Sequence, residues 1–510
     1  MKTNGSQLKI GIILNYINLI IGNLIPIFYT PIMLSLLGQN EYGLYKLASS
    51  VTSYLSLISM GLGSAVSRYL IKANTEEGKE AEERVLGLFV TIFRIIAAAA
   101  LVVGTVLTMS LHLWYAESLS PDELARMKVI VFVLVCNMSI SFTVSPYMSV
   151  VTTHERFLFT QGANIVSTCM GPLLNLAVLF FGGRSIEMAV SSLVLNVLVQ
   201  FAYLCYVRRS IGIRPNYQNM PTNLMKEILR FSFWVFVANV VGQLYNATDT
   251  VMIGAVPALA TVGTAVYSVG ATFNNIVFSL TTGVSSLISP KTNKMVFSGA
   301  SRQELTDLAI RIGRIQGYII SLVVSGFIAF GKPFIAFYAG EGYEDAYWVA
   351  VFMMVPNMIP LVQSVCLSVI VAQNKHRFRS LVYLGIAITN VIGTWFMMHK
   401  YGIIGAALVT GLSVVAGQGV IMNWYYHKKT ALDMVRFWKS VAVLYLIPTG
   451  MCIATLLLSR WIDFYRLPIM LTGIVVYTII YCVLNWFLMM DQYEKSILTE
   501  PFHKIIKRKG

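Results

Sequence analysis

Apolar runs of twenty or more residues recur from one end of this 510-residue chain to the other, separated by short polar breaks. No other feature narrows the fold so far. A run of that length matches the hydrocarbon thickness of a bilayer when it is helical, and backbone groups in lipid must be satisfied within the segment or a closed barrel. Barrel strands would show segments of about ten residues alternating in polarity, and that alternation is missing. Composition agrees, with 56% hydrophobic and 12% charged residues against about 25% charged in an average soluble domain. The expected class is therefore all-α integral membrane.

At about twenty residues per crossing, about fourteen spans are expected near 10–36, 43–70, 86–112, 128–152, 160–182, 186–207, 229–256, 262–289, 311–338, 346–372, 381–399, 403–426, 440–460 and 467–490. The first carries Asn15, Asn18 and Asn23 and no A-x-A site, which reads as a span and not a removed signal peptide. Cationic residues test the alternation, because cytoplasmic loops hold most Lys and Arg. Of the 38 in the chain, Lys46 and Arg94 lie inside spans, and only Arg126, Lys128, Arg184, Lys332, Lys400, Arg460 and Arg466 fall on the side opposite the termini. Both termini are thus expected in the cytoplasm. A net charge of +15 spread over loops in this way is not the basic stripe of a nucleic-acid binder. The six cysteines sit in apolar runs without CxxC spacing and read as small buried hydrophobes with no redox or metal role.

An offset of about 220 residues brings Gly61-Leu62-Gly63-Ser64-Ala65-Val66-Ser67 onto Gly283-Val284-Ser285-Ser286-Leu287-Ile288-Ser289, and Arg156-Phe157 onto Arg377-Phe378. Spans one to six and seven to twelve then form parallel repeats. The expected organisation is an N-terminal six-helix bundle at 1–210, a polar, Pro-punctuated cytoplasmic linker at 211–228 suited to a hinge, a second six-helix bundle at 229–430, and an appended helix pair with a basic tail at 431–510.

Polar stripes within spans point to a cavity. Asn15 and Asn18 begin one on the first span, continuing through Gly22, Pro26 and Tyr29; Asn239, Gln243, Asn246 and Thr250 form another on the seventh, with Asp249 at its edge. The alternative is hydrogen bonding between packed helices, at about 0.6 kcal/mol per bond. A charge near the bilayer centre costs about 2.5–3.5 kcal/mol on an insertion scale, so Lys46, Arg94 and Asp249 need reasons. Arg94 in the third span and Arg311 and Arg314 in the ninth hold equivalent places in the repeat. Guanidinium forks suit phosphate oxygens, so these with Lys46 are candidate pyrophosphate or anion ligands; the alternatives are snorkelling for Lys46 and an interfacial position for the arginines. For Asp249, ion coupling and a structural ion pair both stand. Gly326 to Lys332 imitates a phosphate loop, but Pro333 replaces the Ser or Thr that would hold magnesium. Gly313 and Gly317 make a GxxxG, a close-packing signal. No catalytic set and no cofactor or metal signature is recognisable.

Thr30-Pro31-Ile32-Met33-Leu34-Ser35-Leu36-Leu37-Gly38-Gln39-Asn40-Glu41-Tyr42-Gly43-Leu44-Tyr45, with Gly61 to Ala65 and Arg68-Tyr69, resembles the opening of the Wzx-type oligosaccharide flippases. Asp249 to Gly254 and Val262 to Ser268 resemble the start of their second half. The resemblance covers most of residues 8–430. It implies the multidrug/oligosaccharidyl-lipid/polysaccharide exporter superfamily, a V-shaped pair of bundles, and movement of undecaprenyl-pyrophosphate-linked sugars to the outer leaflet of a bacterial cytoplasmic membrane. Pathway glycosyltransferases and a polymerase are the implied partners, beside the lipid-linked substrate and membrane lipid. Lipid II flippases of the superfamily share fourteen spans but carry an Arg-Asp pair in the first, where this chain has no ionisable residue after Lys9. A cation-coupled multidrug exporter, usually of twelve spans, is a further reading. A membrane-embedded glycosyl- or acyltransferase would need catalytic residues clustered outside, and Glu117, Asp122 and Glu123 form no such set.

Overall fold

The computed structural model describes residues 5–221, 224–373, 375–430, 432–496 and 499, and among them every regular element is helical. Eleven runs are long and apolar enough to cross a bilayer. Many large apolar side chains face outward, Phe28, Met109, Leu113 and Phe201 among them, as lipid-facing helices require. Two compact units divide between Ser268 and Val269.

The first unit opens with α1 (Gly5–Leu37), which keeps Pro26 and Pro31 inside it. The expected second span is broken: α2 (Gln39–Ser53) passes through a 3-10 turn at Tyr54–Ser59 into left-handed Met60 and Gly61, then α3 (Leu62–Glu77). Side-chain hydroxyls and a glycine mark the break. Thr52 Oγ1 and Ser53 Oγ donate back to the Ala48 and Ser50 carbonyls, 2.7 Å each, a local competition with the helical ladder. A Cβ at Gly61 would lie 2.6 Å from Val235 Cγ1, so only glycine fits the positive φ and the approach. Four long helices follow: α4 (Lys79–Tyr115), α5 (Pro121–Thr153), α6 (Phe157–Phe180) and α7 (Ser185–Tyr206). A Ser120–Glu123 capping box starts α5. The unit continues through α8 (Met225–Asn246) and α9 (Thr248–Gly254), and the division falls within α10 (Ala260–Phe297).

Residues 212–224 connect α7 to α8. They leave a widened π turn at Val207–Ile211 through left-handed Gly212. The linker packs against α4: Ile213 is buried, and Asn216 N donates to the Glu83 carbonyl at 2.9 Å.

The second unit contains α11 (Arg302–Ala339), α12 (Asp345–Val362), α13 (Ser364–Ala372), α14 (His376–Val414), α15 (Met422–Lys429), α16 (Met434–Ala442), α17 (Leu446–Leu458) and α18 (Leu467–Leu488). The α14 run kinks at Tyr401 and Gly402, separating the two legs read from sequence as spans eleven and twelve. Asp433 caps α16; the Arg436 and Val435 amides hold its carboxyl below the ordinary range.

One face of α11 stitches the last helices to the unit. Arg314, Tyr318, Ser321 and Ser325 fall at i, i+4, i+7 and i+11, a single stripe. Tyr481 of α18 bonds Ser321 Oγ at 2.7 Å and the Tyr318 carbonyl at 2.9 Å, and Tyr477 donates to Ser325 Oγ at 2.8 Å. Gly313 and Gly317 admit Phe437 and Leu444: an added Cβ would meet them at 2.9 and 3.2 Å. Removing the Tyr481 hydroxyl with Tyr481→Phe is expected to cost about 1–2 kcal/mol, read as a lower thermal midpoint of the purified protein. An unchanged midpoint would mean these bonds hold nothing.

The cysteine expectation needs a correction. Among the described residues all six are free, but only Cys366 and Cys452 are buried, and Cys482 on α18 is exposed. A helix wetted by lipid needs no protein cover over an apolar thiol, so an apolar run does not predict burial.

Candidate functional site

Within the first unit, the polar residues of the first and seventh spans meet different environments. Asn15 is exposed, while Asn18 Oδ1 accepts from Thr168 Oγ1 of α6 at 3.1 Å. Asn239 is exposed on α8. Gln243 reaches the break in the second span, donating to the Ser53 carbonyl at 2.5 Å and Ser56 Oγ at 3.0 Å. These bonds tie α8 to the break. Thr250 and Asp249 are buried, and Tyr267 donates to Asp249 Oδ2 at 2.5 Å. The side chain of Asn246 lies outside the described residues.

The cations also divide. Lys46 is half-buried on α2 with its ammonium 5.4 Å from the Tyr42 ring centre. Arg94 is exposed on α4, and its guanidinium faces the Tyr217 ring at 5.6 Å. In the second unit Arg311 lies 5.0 Å from the Tyr493 ring. Arg314 is fully engaged. Its Nε donates to Glu494 Oε1 at 2.6 Å and its Nη2 to Glu494 Oε2 at 3.0 Å, with further bonds to the Met489 carbonyl (2.7 Å), the Ser440 carbonyl (3.2 Å) and Tyr318 Oη (2.8 Å). An anion arriving at Arg314 competes with a carboxylate already in place. Among the described residues no carboxylate lies within 4.0 Å of Arg94, Arg311 or Lys46.

Several polar groups escaped the sequence reading. Glu41, in the quoted opening motif, is buried and bonds both Arg126 of α5 and Ser185 of α7. Glu82 is 1% exposed, accepting from Asn74 Nδ2 at 2.7 Å with His154 Nε2 at 2.9 Å. Between α5 and α7 an amide cluster joins Asn137, Ser141 and Asn196 to Gln200, whose buried Oε1 has no partner among the described residues. Asn137, Asn196 and Gln200 were marked by their polarity within apolar runs, whereas Glu41 and Glu82 lie in polar stretches that carry no such signal.

These features define a class first: a multi-pass helical membrane protein whose interior polar groups sit on long spanning helices, with no soluble catalytic domain among the described residues. The comparisons place it within that class. Residues 8–288 match the sequence profile of the polysaccharide biosynthesis protein family (Polysacc_synt), and the chain belongs to that family. The quoted opening and seventh-span motifs fall inside the matched range. Among solved structures the chain is similar to the lipid II flippase MurJ in its inward closed conformation, at TM-score 0.71 and 16% identity over 94% of this chain and 100% of that one. It is also similar to an inward-facing multidrug resistance MATE family transporter of the MOP superfamily, at TM-score 0.60 and 12% identity over 82% and 99%. The Vibrio cholerae MATE transporter VcmN in the bent form gives TM-score 0.54 and 14% identity over 84% and 98%. No curated protein matches. Family and fold are those of membrane flippases and exporters.

Proposed function

We propose that this chain moves undecaprenyl-pyrophosphate-linked oligosaccharide from the inner to the outer leaflet of a bacterial cytoplasmic membrane, both termini inside, for cell-surface polysaccharide synthesis. The family match carries the reading. Arg94 supports it, a guanidinium within an apolar helix that no described carboxylate neutralises. An apolar cavity of about 520 Å³ between α11, α17 and α18, lined by Phe330, Leu458, Phe464 and Val476, suits a lipid chain. In this reading the bundles at 1–210 and 229–430 alternate access about the linker at 211–228, and the pair at 431–510 completes the second bundle. Lys46, Arg94, Arg311 and Arg314 serve the pyrophosphate, with Arg314 exchanging Glu494 for it; Asn15, Asn18, Asn239, Gln243, Asn246 and Thr250 serve the sugar, and Asp249 serves ion coupling. The partners are the glycosyltransferases and polymerase of the same pathway, and no covalent step or cofactor is required.

The likeness to MurJ over 94% of the chain favours lipid II as the second reading. Proteoliposomes loaded in parallel with a labelled lipid-linked oligosaccharide, labelled lipid II or a cationic dye discriminate these. The proposal expects transbilayer movement of the first without chemical turnover. Movement of lipid II alone, or of the dye alone, would replace it.

A further inference from the structure

The turn between α15 and α16 joins two runs that are each long and apolar enough to cross a bilayer, Phe378–Lys429 and Met434–Leu458, so it lies at a membrane surface. Trp438 Nε1 donates to Asn423 Oδ1 at 2.7 Å and the Met434 amide to His427 Nδ1 at 3.3 Å. The two helices are therefore antiparallel, with Asn423 opposite Trp438 and His427 opposite Met434. At 3.6 residues per turn, the next residue on each, Trp424 and Lys439, turns to the same side of the pair, and Lys428 and Val435 lie one turn away on that side. Met422, Tyr426, Phe437 and Val441 are buried on the other.

The outer side is left open. Trp424 and Val435 are 54% and 57% exposed, and Lys428 and Lys439 are exposed as well. Deeper in the membrane the same stripes expose Val420 on one helix and Val443 and Leu446 on the other. The face is thus cationic near the turn and apolar beyond it. Lys439 lies five residues into its run, about 7.5 Å from the surface end and close to the level of Trp424, a residue type that prefers the headgroup boundary. Helical side chains lean toward their helix N-terminus, so in this antiparallel pair the stems of Lys428 and Lys439 lean toward one another. Among the described residues no carboxylate lies within 4.0 Å of either lysine, whereas neighbouring Arg436 holds Asp307 at 2.8 Å and His427 lies 3.8 Å from Asp433. A cation facing lipid without a counter-charge from the protein takes one from the headgroups.

We propose that this face of the α15–α16 pair binds an anionic phospholipid of the surrounding bilayer, its phosphate held by Lys428 and Lys439 beside Trp424 and its acyl chains lying along Val420, Val443 and Leu446. Two unneutralised ammonium groups favour an anionic headgroup over a zwitterionic one, which brings a cation of its own. Apolar stripes on both helices match two acyl chains. The inference stands independently of the flippase reading, since it uses only the membrane-spanning fold.

Tryptophan quenching tests it in the full chain, reconstituted in phosphatidylcholine and titrated with brominated phosphatidylglycerol or brominated phosphatidylcholine. Bromine quenches on contact, so wild type is expected to show a saturable component that prefers phosphatidylglycerol, and Trp424→Phe to lose it. A cation at the surface is worth about fivefold in affinity for anionic lipid, so Lys428→Gln and Lys439→Gln should each weaken the preference by that factor, while Lys439→Arg keeps it. High salt should weaken it in wild type. Equal quenching of wild type by the two lipids, or wild-type preference in the folded double variant Lys428→Gln with Lys439→Gln, overturns the proposal. Displacement of the quencher by a polyprenyl diphosphate at lower concentration than by unbrominated phosphatidylglycerol also overturns it, and would make the face a site for lipid-linked diphosphate instead.

Discussion

Replacing Glu494 by alanine is expected to destabilise the second unit by about 3–5 kcal/mol, the usual effect of leaving one member of a buried pair uncompensated. The pair meets that description: the Glu494 side chain is 4% exposed and Arg314 16%. Arg314 would keep the Met489 and Ser440 carbonyls and Tyr318 but lose its only counter-charge within 4.0 Å among the described residues. Glu494 also accepts from the Asp491 amide, so its removal loosens the turn that closes the chain over α11. The paired change Arg314→Met with Glu494→Met should lose less than either single change, because no charge is left buried. Thermal midpoints of the four proteins complete the cycle. If the paired variant is stable and still flips substrate at the wild-type rate, Arg314 is structural and not a pyrophosphate ligand; a stable variant with flipping lost gives it both roles.

Gly87→Val is expected to be nearly as damaging, and to act on the linker. The atom that its Cβ would strike at 2.0 Å is backbone, so no rotamer change relieves the clash. Overpacking of this kind costs about 1–3 kcal/mol or more, and the cheapest relief is to lift residues 213–217 from α4. Tyr217 then leaves Arg94, and the Asn216–Glu83 bond is lost. Cleavage after Arg209 by trypsin should accelerate on the order of tenfold for each 1.4 kcal/mol of lost docking, provided reclosing outpaces cleavage. Wild-type cleavage rates in folded Gly87→Val would show that the linker was never held there.

The helical membrane class could be read from the chain because it rests on local properties. Apolar runs dictate helices in lipid whatever their neighbours are, and the sequence motifs at 30–45 and 249–268 fall inside the range that places the family. Long-range pairing was not readable. Arg314 and Glu494 are 180 residues apart, and the intervening sequence carries no sign that the last turn folds back onto α11. The break in the second span lies in an apolar stretch whose hydropathy hides it; the Thr52, Ser53 and Ser56 hydroxyls, together with Gly61, are the local signal, and Gln243 completes it from 190 residues away. The linker's proline and polarity suggested a hinge; that Ile213 is buried and Gly87 provides its track is a complementarity between two segments that neither shows alone.

The most direct test of the whole account is a leaflet-resolved assay in proteoliposomes, following a fluorescent undecaprenyl-pyrophosphate oligosaccharide by quenching from outside. Wild type is expected to equilibrate the label between leaflets, while Arg94→Ala, equally folded and reconstituted, slows it on the order of 10-fold or more through the lost charge-assisted bonds. Equal rates in the two proteins, or no movement by wild type above protein-free liposomes, would contradict it.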